Sequence, residues 1–181
     1  MSSGDGGCGD EITGRHIVLV GMMGAGKSSV GRVLARRLDR RLLDSDEMIE
    51  AATGRTVREI WHDDGEPAFR RLEAAQLREA LRAEVPSIVA AAGGVVLSEE
   101  NREVLTESGA HVVWLLADVD LLVERVKNGK HRPLLDEDPE GTLREMFDTR
   151  ESLYREVADA IVSVDHRSVN EVAAAVLRCA G

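Results

Sequence analysis

The segment Gly21 to Ser28 reads GMMGAGKS, a GxxxxGK[ST] spacing that suits the cradling of a polyphosphate. Gly21, Gly24 and Gly26 permit positive φ and close backbone approach, so successive N–H groups can converge on one anion. The apolar run Ile17-Val18-Leu19-Val20 precedes the loop and a helical periodicity follows it, which adds the positive dipole end of a helix to the cradle. Lys27 would reach the terminal phosphates, and Ser28 is placed to offer its hydroxyl to the Mg²⁺ that accompanies a nucleoside triphosphate.

Two further sets of residues could complete a reaction. Asp44 and Asp46 stand two apart in LLDSD, at the end of a second short strand. If extended geometry persists there, both carboxylates point to one side; one could approach the magnesium, directly or through water, and the other could accept a proton from an attacking hydroxyl. The alternative is that Ser45 or Asp46 merely caps the next helix. Arg58, Arg70, Arg132 and Arg150 fall in segments expected to face the strand ends, where a guanidinium fork would hold a carboxylate or phosphate. Each of them, taken singly, reads first as a solvated surface charge.

Positioning these groups requires a particular framework. Apolar runs at 17–20, 41–44, 87–91, 112–116 and 160–164 alternate with helical patterns, which predicts a five-stranded parallel sheet covered on both faces, with ligands at the carboxyl ends of its strands. Val30, Val33, Leu34 and Leu38 recur at helical spacing behind the glycine loop. Thr56-Val57-Arg58-Glu59 has the form of a capping box, HDDGEP reads as a turn before a longer helix over 66–83, and Ser168 to Glu171 caps the last helix. Ala92-Gly93-Gly94 again places glycine at the end of a strand. The stretch 128–141, NGKHRPLLDEDPEG, lacks periodicity and is expected to be a functional lid. Residues 1–14 are expected to be a disordered tail and 15–181 a single domain.

Composition narrows the partners. With 33 acidic and 23 basic residues among 181, the net charge is −10, which argues against a nucleic-acid partner and leaves anionic substrates to local arginines. The two cysteines, Cys8 and Cys179, form no disulfide or zinc pattern, so a reducing, cytoplasmic setting is the simpler assumption. No apolar run reaches membrane-span length, and no membrane partner is expected.

In order and spacing, GMMGAGKSS, LLDSD, DGEPAFRRLE, AAGGVV, HRPLL and TRESLYREVA resemble shikimate kinase from His16 onward. The resemblance implies a three-layer α/β/α P-loop kinase fold with a lid, related to nucleoside monophosphate kinases, and ATP-dependent phosphorylation of the 3-hydroxyl of shikimate with Mg²⁺, in chorismate biosynthesis and by a monomer. It implies phosphate contacts from Gly24, Ala25, Gly26, Lys27, Ser28 and Ser29. Ser28 would ligate the metal with Asp44 supporting it through water, and Asp46 would act on the substrate hydroxyl. Arg70 and Arg150 match the carboxylate clamp, Arg58 a supporting position, and Gly93 and Gly94 the substrate-pocket wall. Arg132 belongs to the lid, and Arg125 and Arg167 sit where the adenine is sandwiched. The chain departs from the family pattern at Ala92 (usually glycine), at Ser152 (usually proline) and at Arg167-Ser168-Val169. Kinases of gluconate, quinate or an aminoshikimate-type acid would use the same clamp, and a relative that binds nucleotide without turnover is the non-enzymatic alternative.

Overall fold

The computed structural model describes residues 14–127 and 138–180. Five strands, β1 (Ile17–Val20), β2 (Leu42–Asp44), β3 (Ile88–Ala90), β4 (His111–Leu116) and β5 (Ala160–Ser163), form one parallel sheet in the order β2-β3-β1-β4-β5. Seven helices accompany them: α1 (Lys27–Leu38), α2 (Ser45–Thr53), α3 (Val57–Leu81), α4 (Glu99–Glu107), α5 (Val119–Lys127), α6 (Pro139–Val157) and α7 (Val169–Ala180). A short 3-10 turn, Val95–Leu97, follows β3.

The sheet is central because its inner strands are apolar: Ile17 to Val20, Ile88 to Ala90 and Val112 to Leu115 are all buried. Strands of that kind need cover on both faces, and parallel neighbours need crossovers, which here are helical. β1 lies between β3 and β4, so the chain leaves β1 at the point where strand order reverses and enters the glycine loop there.

Several elements differ in detail from the sequence reading. The expected turn HDDGEP is a kink rather than a break: α3 is interrupted only at Gly65 (φ 79°, ψ 172°), with Pro67 opening the second part. Glycine alone takes that backbone conformation readily, and proline is at home in a first helical turn, so the two residues bend the path without a loop. α6 begins at Pro139, three residues before the periodic pattern, because Asp138 caps it by accepting from the Gly141 N–H at 3.0 Å. The turn at 95–97 escaped notice because three apolar residues carry no distinguishable period.

Candidate active site

One cleft of about 840 Å³ opens at the carboxyl ends of the strands. Its donor side is the glycine loop. Gly26 precedes α1 with φ 93°, in the left-handed region. The Lys27 ammonium donates to the Gly21 and Met22 carbonyls at 2.8 and 3.0 Å, folding the side chain back across the loop. Residues 24–29 and the side chains of Arg125 and Arg167 line the same cleft. The Arg125 guanidinium donates to the Gly24 carbonyl at 3.0 Å, while that of Arg167 reaches Ser163 O at 3.4 Å.

The acceptor side begins at β2. Extended geometry does not persist past Asp44, because α2 starts at Ser45 and Asp44 is its cap, accepting from the Asp46 N–H at 3.1 Å. The cap is thus neither Ser45 nor Asp46, and the two carboxylates do not repeat along a strand. Both nevertheless line the cleft, Asp44 buried and Asp46 exposed. Helix formation at once after the strand lifts Asp46 onto the first turn of α2.

Arg70 and Arg150 line the cleft together with Gly93 and Gly94. Arg70 lies over Gly94 so closely that a methyl there would collide with the guanidinium. Its Nε and Nη2 donate to Glu66 at 3.1 and 2.9 Å and its Nη1 to Glu73 at 2.6 Å. Trp61 and Phe69 place ring faces 5.4 and 5.7 Å from its central carbon. Burial pushes the Glu73 carboxyl above its ordinary range, and the charge of Arg70 opposes that rise. Arg150, only 6% exposed, donates to the Gly93 carbonyl at 3.3 Å. Arg58 lines the cleft from the first turn of α3, whose capping box is formed as expected.

The structure therefore brings into one cleft Gly24, Ala25, Gly26, Lys27, Ser28, Ser29, Asp44, Asp46, Arg58, Arg70, Gly93, Gly94, Arg125, Arg150 and Arg167. Arg132, and with it residues 128–137 of the segment 128–141 expected to be a lid, lie outside the described residues. Ala92 sits in the wall of the cleft without strain: among the described residues only Asp39 and His166 combine a side chain with positive φ. Sequence reasoning did not single out Glu73, although an acid three residues after Arg70 on a helix is within pairing distance. It also missed the bond from Tyr154 to Gly93, for which no spacing rule exists.

The family model described as shikimate kinase matches residues 23–180. A shikimate kinase of Chromobacterium violaceum is 45% identical over 156 residues, covering 86% of this chain and 84% of its own length. One of Corynebacterium glutamicum is 44% identical over 162 residues, covering 89% and 94%. The solved shikimate kinase from Acinetobacter baumannii in complex with shikimate superposes with a TM-score of 0.86 at 39% identity, covering 91% of each chain. A gluconokinase from Sinorhizobium meliloti, at 24% identity and a TM-score of 0.63, shares the fold alone. Matched over most of its length by the family model and by relatives at about 45% identity, the chain belongs to the shikimate kinase family.

Proposed function

We propose that this protein transfers the terminal phosphoryl group of ATP to the 3-hydroxyl of shikimate. The observation that carries the reading is that Arg70, Arg150 and Asp46 line the same cleft as the glycine loop. A cleft that holds both a polyphosphate cradle and two guanidiniums suits a second substrate that bears a carboxylate and a hydroxyl.

In this reading the Arg70 and Arg150 guanidiniums hold the acceptor's carboxylate, with Arg58 in support, and the wall at Gly93 and Gly94 sets its height. Asp46 accepts the proton of the attacking hydroxyl. An O–P bond to the acceptor forms as the bridging O–P bond to ADP breaks. Lys27 leaves its two loop carbonyls for the phosphates and neutralises charge on the transferring group, while the loop N–H groups of 24–29 hold the rest. Arg125 and Arg167 flank the adenine, and Arg132 from the lid meets the phosphates. The donor set fits Mg²⁺, because the Ser28 hydroxyl and the buried Asp44 carboxylate line one cleft, and hard cations take oxygen ligands. When bound, the ion would neutralise phosphate charge. We further propose that the chain acts as a cytoplasmic monomer on these two small anions, with residues 15–181 as the working domain. The net charge of −10 and the sparse cysteines support that setting.

A coupled assay for ADP release with shikimate, quinate, gluconate and aminoshikimate tests the reading, with shikimate expected to give the highest kcat/KM. In D46N, turnover is expected to fall by about 10²–10⁴-fold with ATP binding retained. Absence of ADP release from a folded, nucleotide-binding protein would overturn the activity, and undiminished D46N turnover would remove Asp46 from the chemistry.

A further inference from the structure

Tyr154 is the one tyrosine in the sequence and is fully buried, on α6 one turn after Arg150. Its hydroxyl donates to the Gly93 carbonyl at 2.5 Å, shorter than the 3.3 Å from Arg150 to the same oxygen. Its ring stacks on Trp114 with centroids 5.6 Å apart and planes 24° apart. Trp114 is itself buried on β4, beside the start of the glycine loop: a methyl on Gly21 would touch it at 3.4 Å. On its other side Gly93 abuts the loop backbone, since a methyl there would lie 3.4 Å from Met23 N and 3.5 Å from Gly21 O. Gly93 is thus held between the phosphate loop and α6.

We propose that Tyr154 is a positioning residue for the acceptor: by fixing the Gly93 carbonyl toward α6, it turns the N–H of the same peptide, that of Gly94, into the cleft as a donor. The step rests on the acceptor reading given above. A trans peptide points its C=O and N–H in opposite directions, so anchoring one aims the other. No acceptor among the described residues takes the Gly94 N–H, whereas the Gly94 carbonyl is engaged by the N–H of Leu97 at 3.0 Å. The tyrosine is needed because Arg150 has two tasks. When Arg150 turns its guanidinium to a substrate carboxylate, its long bond to Gly93 weakens, and the phenol alone keeps the peptide from rotating. Burial raises the phenol pKa to about 12, so the group remains a donor at every working pH.

Y154F retains the ring on Trp114 and deletes only the donor. In the nitrogen-labelled free protein, the Gly94 amide is expected to give one sharp resonance in the wild type and a broadened or doubled one in Y154F, with the Gly26 amide unmoved. The KM for shikimate is expected to rise about 5–10-fold, as for loss of one net hydrogen bond, with the KM for ATP unchanged. Both changes are required. An unaltered Gly94 resonance, an unaltered shikimate KM, or equal weakening of shikimate and ATP each overturns the proposal, the last because it marks a general packing role. As a measurement that needs no deletion, biosynthetic fluorotyrosine labels position 154 alone. Its fluorine resonance should move on saturation with shikimate and stay with ADP; no movement with shikimate overturns the role. If the wild type neither binds nor turns over shikimate, the acceptor reading fails, while the Gly94 resonance of the free protein still decides whether Tyr154 holds the peptide.

Discussion

Arg70 is bonded to two glutamates before any substrate arrives. A guanidinium has five N–H donors, and three are engaged by Glu66 and Glu73, leaving two for an incoming carboxylate. The seat of this group is Gly94, which explains a glycine where the backbone itself (φ −93°, ψ −2°) would accept any residue. G94A is therefore expected to displace the guanidinium and raise the KM for shikimate about 10–100-fold, the range for a charge-assisted hydrogen bond, with ATP affinity unchanged by equilibrium titration. At this scale the sequence disclosed residue types well and directions poorly. Lys27 and Ser28 were identifiable from motif spacing, whereas Arg70 and Arg150 stood apart from the other arginines only through the family resemblance. That Asp44 turns to its own helix, and that Glu73 folds under Arg70, depends on where a strand stops and how deeply a helix packs.

Elements set those directions. α3 carries Arg58 at its start and Arg70 past its kink, so its entry is held by the capping box of Thr56 and Glu59, with the Glu59 N–H at 3.2 Å from the threonine oxygen and the Thr56 N–H at 2.7 Å from the carboxylate. T56A should cost about 1 kcal/mol of unfolding free energy in urea titration, while the KM for ATP stays the same. The box was readable because it is a local pattern of four residues, as was the periodicity of α1. The kink at Gly65 was half readable: glycine and proline announced an interruption, but whether the chain turns away or merely bends is settled by what the two halves pack against. Ile60 and Phe69, one from each half, share a small core with Ile49 of α2, and that keeps them in one line.

Across the whole molecule, the buried core runs the length of the sheet, from Ile17 and Val112 to Met22 and Ala25 beside the cleft. His111, at the start of β4, is remote from the cleft, its Nδ1 lying 3.8 Å from Asp159 while its buried Nε2 has no partner among the described residues. Burial holds its pKa below the usual 6.5, so the folded state binds its proton less readily than the unfolded state. Stability from this group is present above that value and is lost as pH falls through the folded pKa. The melting temperature is expected to drop on acidification below about 6.5, and less steeply in H111N, where the site has nothing to protonate. The class of fold was evident in the alternation of apolar runs, whereas the strand order was not, since every crossover looks alike in sequence. That order has a kinetic consequence. β1, which delivers the glycine loop, is completed only by β3 and β4 on its flanks, and both are made long after it. During synthesis the apolar Ile17–Val20 must wait unpaired, so nucleotide binding emerges late and that strand is open to other partners until β3 and β4 have been made.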